Sequence, residues 1–277
     1  MTFNIKEKSV LPGFGLSLGL TISYLSLIVL VPLSALVLRS SELGLSGIIK
    51  VISEPRVIAS LKVTFQSALL AALTSVVLGV TVAWFLVRGR FPCKRLVDAL
   101  VDLPFALPTA VSGLALTALF APNSTLGTAL AKLGVNVAFT ATGITVAMIF
   151  IGLPFVVRSV QPALADLNKE LEEASLSLGA SRFQTLSRVV FPLLVPAILS
   201  GFTLAFSRAL GEYGSVVFIA GNMPMKTEIT SLLIITKLEQ FDYLGATAIA
   251  VTLLTLSMLS ILFVNVLQST TAKYLGS

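Results

Sequence analysis

Arg208 and Glu212 stand four residues apart where a long uncharged stretch of the chain ends. That spacing puts both on one helical face. In an apolar setting the pair has two readings: an ion pair that lets a helix end beside lipid headgroups, or a functional charge. In the functional reading the pair latches an outer gate, or Arg208 lends positive potential to a passing anion. Such attraction has to stay weak, because an anion held tightly would not leave. A second cluster comprises Asp102, Pro104, Pro108, Thr109 and Ser112. Two prolines one turn apart each remove a backbone hydrogen bond and favour a kink. In a membrane the freed carbonyls are tolerated only where protein or cavity water satisfies them. The stretch is therefore expected to face a central cavity, although its small residues, Gly113 among them, suit close helix packing equally well. Pro192 and Pro196 repeat the pattern, as a hinge or as prolines tolerated near a helix start.

Other chemistry is excluded by what the chain lacks. It has no histidine and a single cysteine, Cys93. That removes Ser-His-Asp and Cys-His nucleophilic sites, histidine-ligated haem, nearly all zinc sites and any disulfide within the chain. No G-x-x-x-x-G-K-[ST] occurs, so the chain has no P-loop of its own. A net charge of +6 could suggest nucleic acid, but the placement of the charges gives a different explanation.

The elements that position these residues are apolar helices. Of 277 residues 56% are hydrophobic and 12% charged, and the mean hydropathy is +0.98. Soluble domains carry about 25% charged residues. A spanning helix needs about 20 apolar residues, and charge-free intervals of that length run over 9–38, 63–87, 103–131, 133–157, 189–207 and 243–272. They predict an all-α polytopic membrane protein with about six transmembrane helices, near Phe14–Leu38, Val63–Leu86, Leu103–Phe120, Phe139–Val157, Val189–Leu210 and Leu244–Leu267. The first is read as a retained anchor over 14–38, since its uncharged core is too long for a signal-peptide h-region. A core over 60–267 follows. The tight loop Arg88–Arg95, with Arg88, Arg90, Lys94 and Arg95, sets the orientation by the positive-inside rule. The N-terminal segment 1–13, carrying Lys6 and Lys8, and the tail 268–277 are then cytoplasmic. Segment 211–244, interrupted by Gly221, Pro224, Lys226 and Glu228, reads as a loop with a short interfacial or re-entrant helix, against the alternative of a seventh span.

One long inside loop remains, 158–188. Leu164, Leu167, Leu171, Ala174 and Leu178 recur at steps of three and four and predict one helix face, with Asp166, Lys169, Glu170, Glu172 and Glu173 on the others. Gly179 suits a helix C-terminus. Ser181-Arg182-Phe183-Gln184 is a capping-box pattern that starts the next helix. Helices lying on a leaflet usually show lysine and arginine to anionic lipid. The acidic face here argues instead for docking onto a protein.

The loop also carries Glu173-Ala174-Ser175, three residues, Gly179, nine residues and Val189-Val190-Phe191-Pro192. This resembles the cytoplasmic signature E-A-A-x3-G-x9-I-x-L-P of ABC importer permeases, with Ser175, Val189 and Phe191 as mild departures. Asp98 to Val111, Leu210 to Asn222, Lys226-Thr227-Glu228 and Phe241-Asp242-Tyr243 resemble the sulfate/thiosulfate permeases, T-type, over most of the chain. The resemblance implies a type I ABC importer permease fold. Its coupling helix, with Leu171, Glu173, Ala174, Ser175, Leu178 and Gly179, would seat in a cleft of an ATPase subunit. It also implies a second, different permease, two copies of an ABC ATPase that hold the ATP and Mg, and a periplasmic sulfate-binding protein. No cofactor is expected on this chain and no nucleic acid partner; the setting implied is a bacterial inner membrane. A permease for another tetrahedral oxyanion, such as molybdate, is the nearby alternative. An ion-coupled secondary transporter is the alternative of another class, and it predicts membrane-buried carboxylates or an inverted repeat.

Overall fold

The computed structural model describes residues 14–274, and within them every regular element is helical. Segment 1–13, with Lys6 and Lys8, and residues 275–277 of the tail lie outside the described residues. In chain order the helices are α1 (Phe14–Ser41), α2 (Gly44–Ile52), α3 (Pro55–Arg88), α4 (Lys94–Val101), α5 (Leu103–Ala106), α6 (Thr109–Phe120), α7 (Thr125–Lys132), α8 (Ala141–Ala165), α9 (Lys169–Ser177), α10 (Arg182–Leu210), α11 (Val216–Ile219), α12 (Thr230–Glu239) and α13 (Tyr243–Tyr274). Five of these, α1, α3, α8, α10 and α13, are long and apolar enough to cross a membrane. The sixth expected span is not straight. Its prolines break it into α5 and α6, with Leu107 and Pro108 in extended backbone between them. Helices α6 and α7 then meet at 56°, a bent pair with the geometry of a broken span or a re-entrant loop.

Small residues decide the core. Ala68, Ala71, Ala72, Ser75, Gly79 and Ala83 form the buried stripe of α3. A Cβ on Gly79 would lie 2.8 Å from Val156 of α8, and one on Gly201 of α10 would lie 2.9 Å from the Val156 Cα. With no water to expel from lipid, helices associate by such close van der Waals packing. Helices α3, α8 and α10 therefore form the centre, while no residue of the first turns of α1, Phe14–Leu25, is buried. Segment 211–244, expected as a loop with a short helix, holds α11 of one turn and α12, a ten-residue helix whose Thr230, Leu232 and Leu233 are buried, and its last two residues begin α13. Asp242 caps α13 by accepting from Gly245 N–H at 2.9 Å. That bond, with Lys237 at 3.1 Å, holds its carboxyl below the usual carboxylate range.

Proline also shapes α10. The helix starts at Arg182 and passes through a π turn at Leu186–Val190 before Pro192. A widened turn accommodates a ring that can neither donate a hydrogen bond nor tolerate the carbonyl four residues back. Pro192 is thus interior to the helix, not near its start, and Pro196 follows one turn later.

Candidate functional site

The helix predicted over Leu164–Leu178 is two helices. Leu164 is buried in the last turn of α8, and Leu167 packs on the bundle beside it. The chain then breaks at Asp166–Asn168, where Asn168 Oδ1 caps α9 by accepting from Glu170 N–H at 3.0 Å. The break turns α9 away, so Leu171 and Leu178 point outward instead of continuing the buried stripe. Leu178 is 89% exposed. Asn168, a strong N-cap type, was the available sequence signal.

The turn after α9 is built as expected. Gly179 has φ +85°. Its N–H donates to Leu176 O at 3.0 Å and Ala180 N–H donates to Ser175 O at 3.1 Å, the two bonds of a Schellman motif. A Cβ on Gly179 would meet nothing within 4 Å, so backbone handedness alone demands glycine. The capping box is complete: Gln184 N–H donates to Ser181 Oγ, and Ser181 N–H to Gln184 Oε1. Ser175 and Thr185 hydroxyls bond at 2.9 Å, tying α9 to α10. Glu172 pairs with Arg88 at the end of α3. The hairpin is therefore rigid in itself and fixed to three helices, while Leu171, Glu173, Ala174 and Leu178 remain exposed.

At the opposite end of α10, Arg208 Nη1 donates to Glu212 Oε2 at 2.6 Å. Glu212 is 1% exposed, and its Oε1 also accepts from Ser215 N–H and Ser215 Oγ at 2.9 and 3.0 Å. The resulting turn lies directly on α6. Gly113 touches the Ser215 main chain where a Cβ would collide, and Gly214 sits against Thr109 in the same way. Two predicted groups, Thr109 and Ser112 of α6 and Arg208 of α10 with Glu212 just beyond it, are thus brought together through the 211–215 turn. Arg208 keeps 35% of its side chain exposed beside it.

Asp102 and Pro104 belong to the other end. Arg158 Nε and Nη2 donate to the two Asp102 carboxylate oxygens at 2.8 and 2.6 Å. Its remaining donors reach Asp98 Oδ1 at 2.7 Å, Gln161 Oε1 at 2.6 Å and the Asp98 carbonyl at 3.0 Å. Asp102 is an ion-pair partner on the hairpin end, not a neighbour of Arg208. The signal for this cluster lay in the sequence: two aspartates at i, i+4 repel on a helix, and a cation is needed to offset them. A second ion pair was also missed. Arg56 forks onto Glu228 at 2.8 and 2.6 Å, with Glu228 1% exposed. Thr64 bonds Thr230 beside it.

A family model described as binding-protein-dependent transport system inner membrane component matches residues 75–273. The chain is 49% identical over 267 residues to the sulfate transport system permease protein CysT of Escherichia coli (strain K12), covering 96% of each chain. It is 49% identical to the protein of the same name from Synechocystis sp. (strain ATCC 27184 / PCC 6803 / Kazusa), covering 92% of this chain and 89% of the other. Among solved structures, it superposes with a TM-score of 0.74 and 16% identity on a chain of a bacterial ABC transporter involved in import of the acidic polysaccharide alginate. That match covers 93% of this chain and 96% of the other, a likeness of fold.

Proposed function

The chain belongs to the family of binding-protein-dependent transport system inner membrane components, and we propose that it is the permease subunit of an ATP-driven sulfate importer. Sulfate is the cargo that its relatives' names support. The observation that carries the transport reading is the hairpin: a capped, acid-faced helix that exposes Leu171 and Leu178 and is anchored to α3, α8 and α10. Exposed apolar residues beside Glu173, on a module this well fixed, suit a protein cleft better than solvent or lipid headgroups.

In the proposed assembly α9 docks on an ABC ATPase, a pair of which hold the ATP and Mg, and a second permease completes the pathway. A periplasmic sulfate-binding protein delivers the anion at the opposite end. The basic loop 88–95 starts at Arg88, which pairs with Glu172 of the hairpin, and by the positive-inside rule this supports a cytoplasmic hairpin end and cytoplasmic termini. Glu173, Ala174, Ser175 and Gly179 form the coupling element, and Pro192 and Pro196, with the π turn, a hinge behind it. Arg208, in the last turn of α10 beside the 211–215 turn that packs on α6, gives a passing anion a weak positive field. An ion-coupled mechanism needs a carboxylate free to exchange its proton or ion. The carboxylates buried among the described residues, Glu212 and Glu228, are both paired with arginine.

Affinity purification of the tagged chain in mild detergent tests the assembly: an ABC ATPase and a second permease are expected to accompany it. The purified complex in proteoliposomes is expected to take up sulfate only with ATP and binding protein. Uphill sulfate movement by the chain alone on an ion gradient would contradict the reading.

A further inference from the structure

Resting on that reading, we propose that Arg158 is a positioning residue that makes the broken third span follow the hairpin. Helices α8 and α10 enter the hairpin covalently, and α3 is tied to it through Arg88 and Glu172. The segment α4–α5–α6 runs on from α3 through residues 89–93, and among the described residues no side-chain hydrogen bond or ion pair joins it to the hairpin itself. The segment's polar side-chain tie to α8 is Arg158, two turns before that helix stops at Ala165.

A guanidinium carries five N–H donors in a fixed fork, and all of Arg158's are used, on Asp102, Asp98 and Gln161. One contact closes the end of α4. Asp102 N–H turns back to the Ala99 carbonyl, and Arg158 Nη2 donates to the Asp98 carbonyl instead. Bidentate pairing of this kind fixes orientation as well as distance. Phe105 packs edge-to-face on Phe155 at 5.0 Å, one helical turn further along the same contact. Beyond it the chain is extended at Leu107–Pro108, where α5 cannot pass its motion rigidly to α6. Beyond the bend, α6 is pinned by Gly113 on Ser215. Movement of α8 with the hairpin therefore carries α4–α5, and the bend at Leu107–Pro108 absorbs the difference. The third span changes shape between one end clamped by Arg158 and another held by the turn beside Arg208.

The test uses spin labels at Leu100 of α4 and Leu114 of α6, both exposed in this chain. The complex with its ATPase carries Cys93→Asn, since asparagine accepts the left-handed backbone at that position (φ 61°). With Arg158 present, the Leu100–Leu114 distance is expected to shift when a non-hydrolysable ATP analogue binds. In R158Q the shift is expected to vanish while ATP hydrolysis continues, and uptake per ATP to fall about threefold to thirtyfold. R158K, a point charge without the fork, gives a partial shift; should R158Q not assemble, R158K is scored by the same distance. A distance that ignores nucleotide in the parent complex, or a full shift in R158Q or R158K, overturns the proposal. The distance readout does not depend on the anion carried, so failure of sulfate uptake in the parent counts against the cargo alone.

Discussion

At the residue scale the account depends on which charges are free. Glu212 and Glu228 are buried and paired, and Asp102 is engaged by Arg158. Arg208 shares its carboxylate yet keeps a third of its side chain open. Arg208→Ala is expected to lower uptake in proteoliposomes while sulfate affinity of the binding protein, measured by calorimetry, stays unchanged. Equal uptake would make Arg208 a purely structural cap. Arg56→Ala leaves Glu228 buried without its partner. The loss is expected near 2 kcal/mol, below the roughly 3–5 of a fully buried pair, because Arg56 is a third exposed and water screens it. Thermal unfolding in detergent reads it. The i, i+4 spacing of Arg208 and Glu212 was enough to predict that pair. The spacing of Arg56 and Glu228, 172 residues apart, carries no local signal, and only the folded chain reveals it.

At the element scale, the apolar intervals located the spans because a charge in lipid is costly whatever the tertiary fold. The break inside the third span and the split between α8 and α9 depended on backbone geometry at Leu107–Pro108 and Asn168, which periodicity does not register. The Schellman turn and capping box were legible because each is set by a few adjacent residues. Asp242 offers a test at this scale. Its carboxyl titrates below the ordinary value of about 4, held down by the Gly245 N–H and Lys237, so the ionised form stabilises the start of α13. That contribution is present above the ordinary value and is lost as pH falls through the lowered one. Asp242→Asn is therefore expected to unfold at lower temperature than the parent at neutral pH, and the gap to close in strong acid. A gap independent of pH would remove the charge from the explanation.

At the scale of the whole molecule, the chain is a bundle of small-residue contacts among α3, α8 and α10, with a rigid handle at one end and a turn paired with Arg208 at the other. Charge reversal, Glu173→Lys, is expected to weaken recovery of the ATPase in detergent co-purification without lowering the yield of the permease itself. The central claim is that the hairpin passes the work of ATP hydrolysis to the spans. It is tested most directly by sulfate uptake per ATP hydrolysed, in proteoliposomes holding the full complex with Gly179→Val. A β-branched residue at φ +85° costs at least about 1–2 kcal/mol in that turn and touches nothing else. The account predicts continued hydrolysis with uptake largely lost; full uptake at the parent stoichiometry would contradict it.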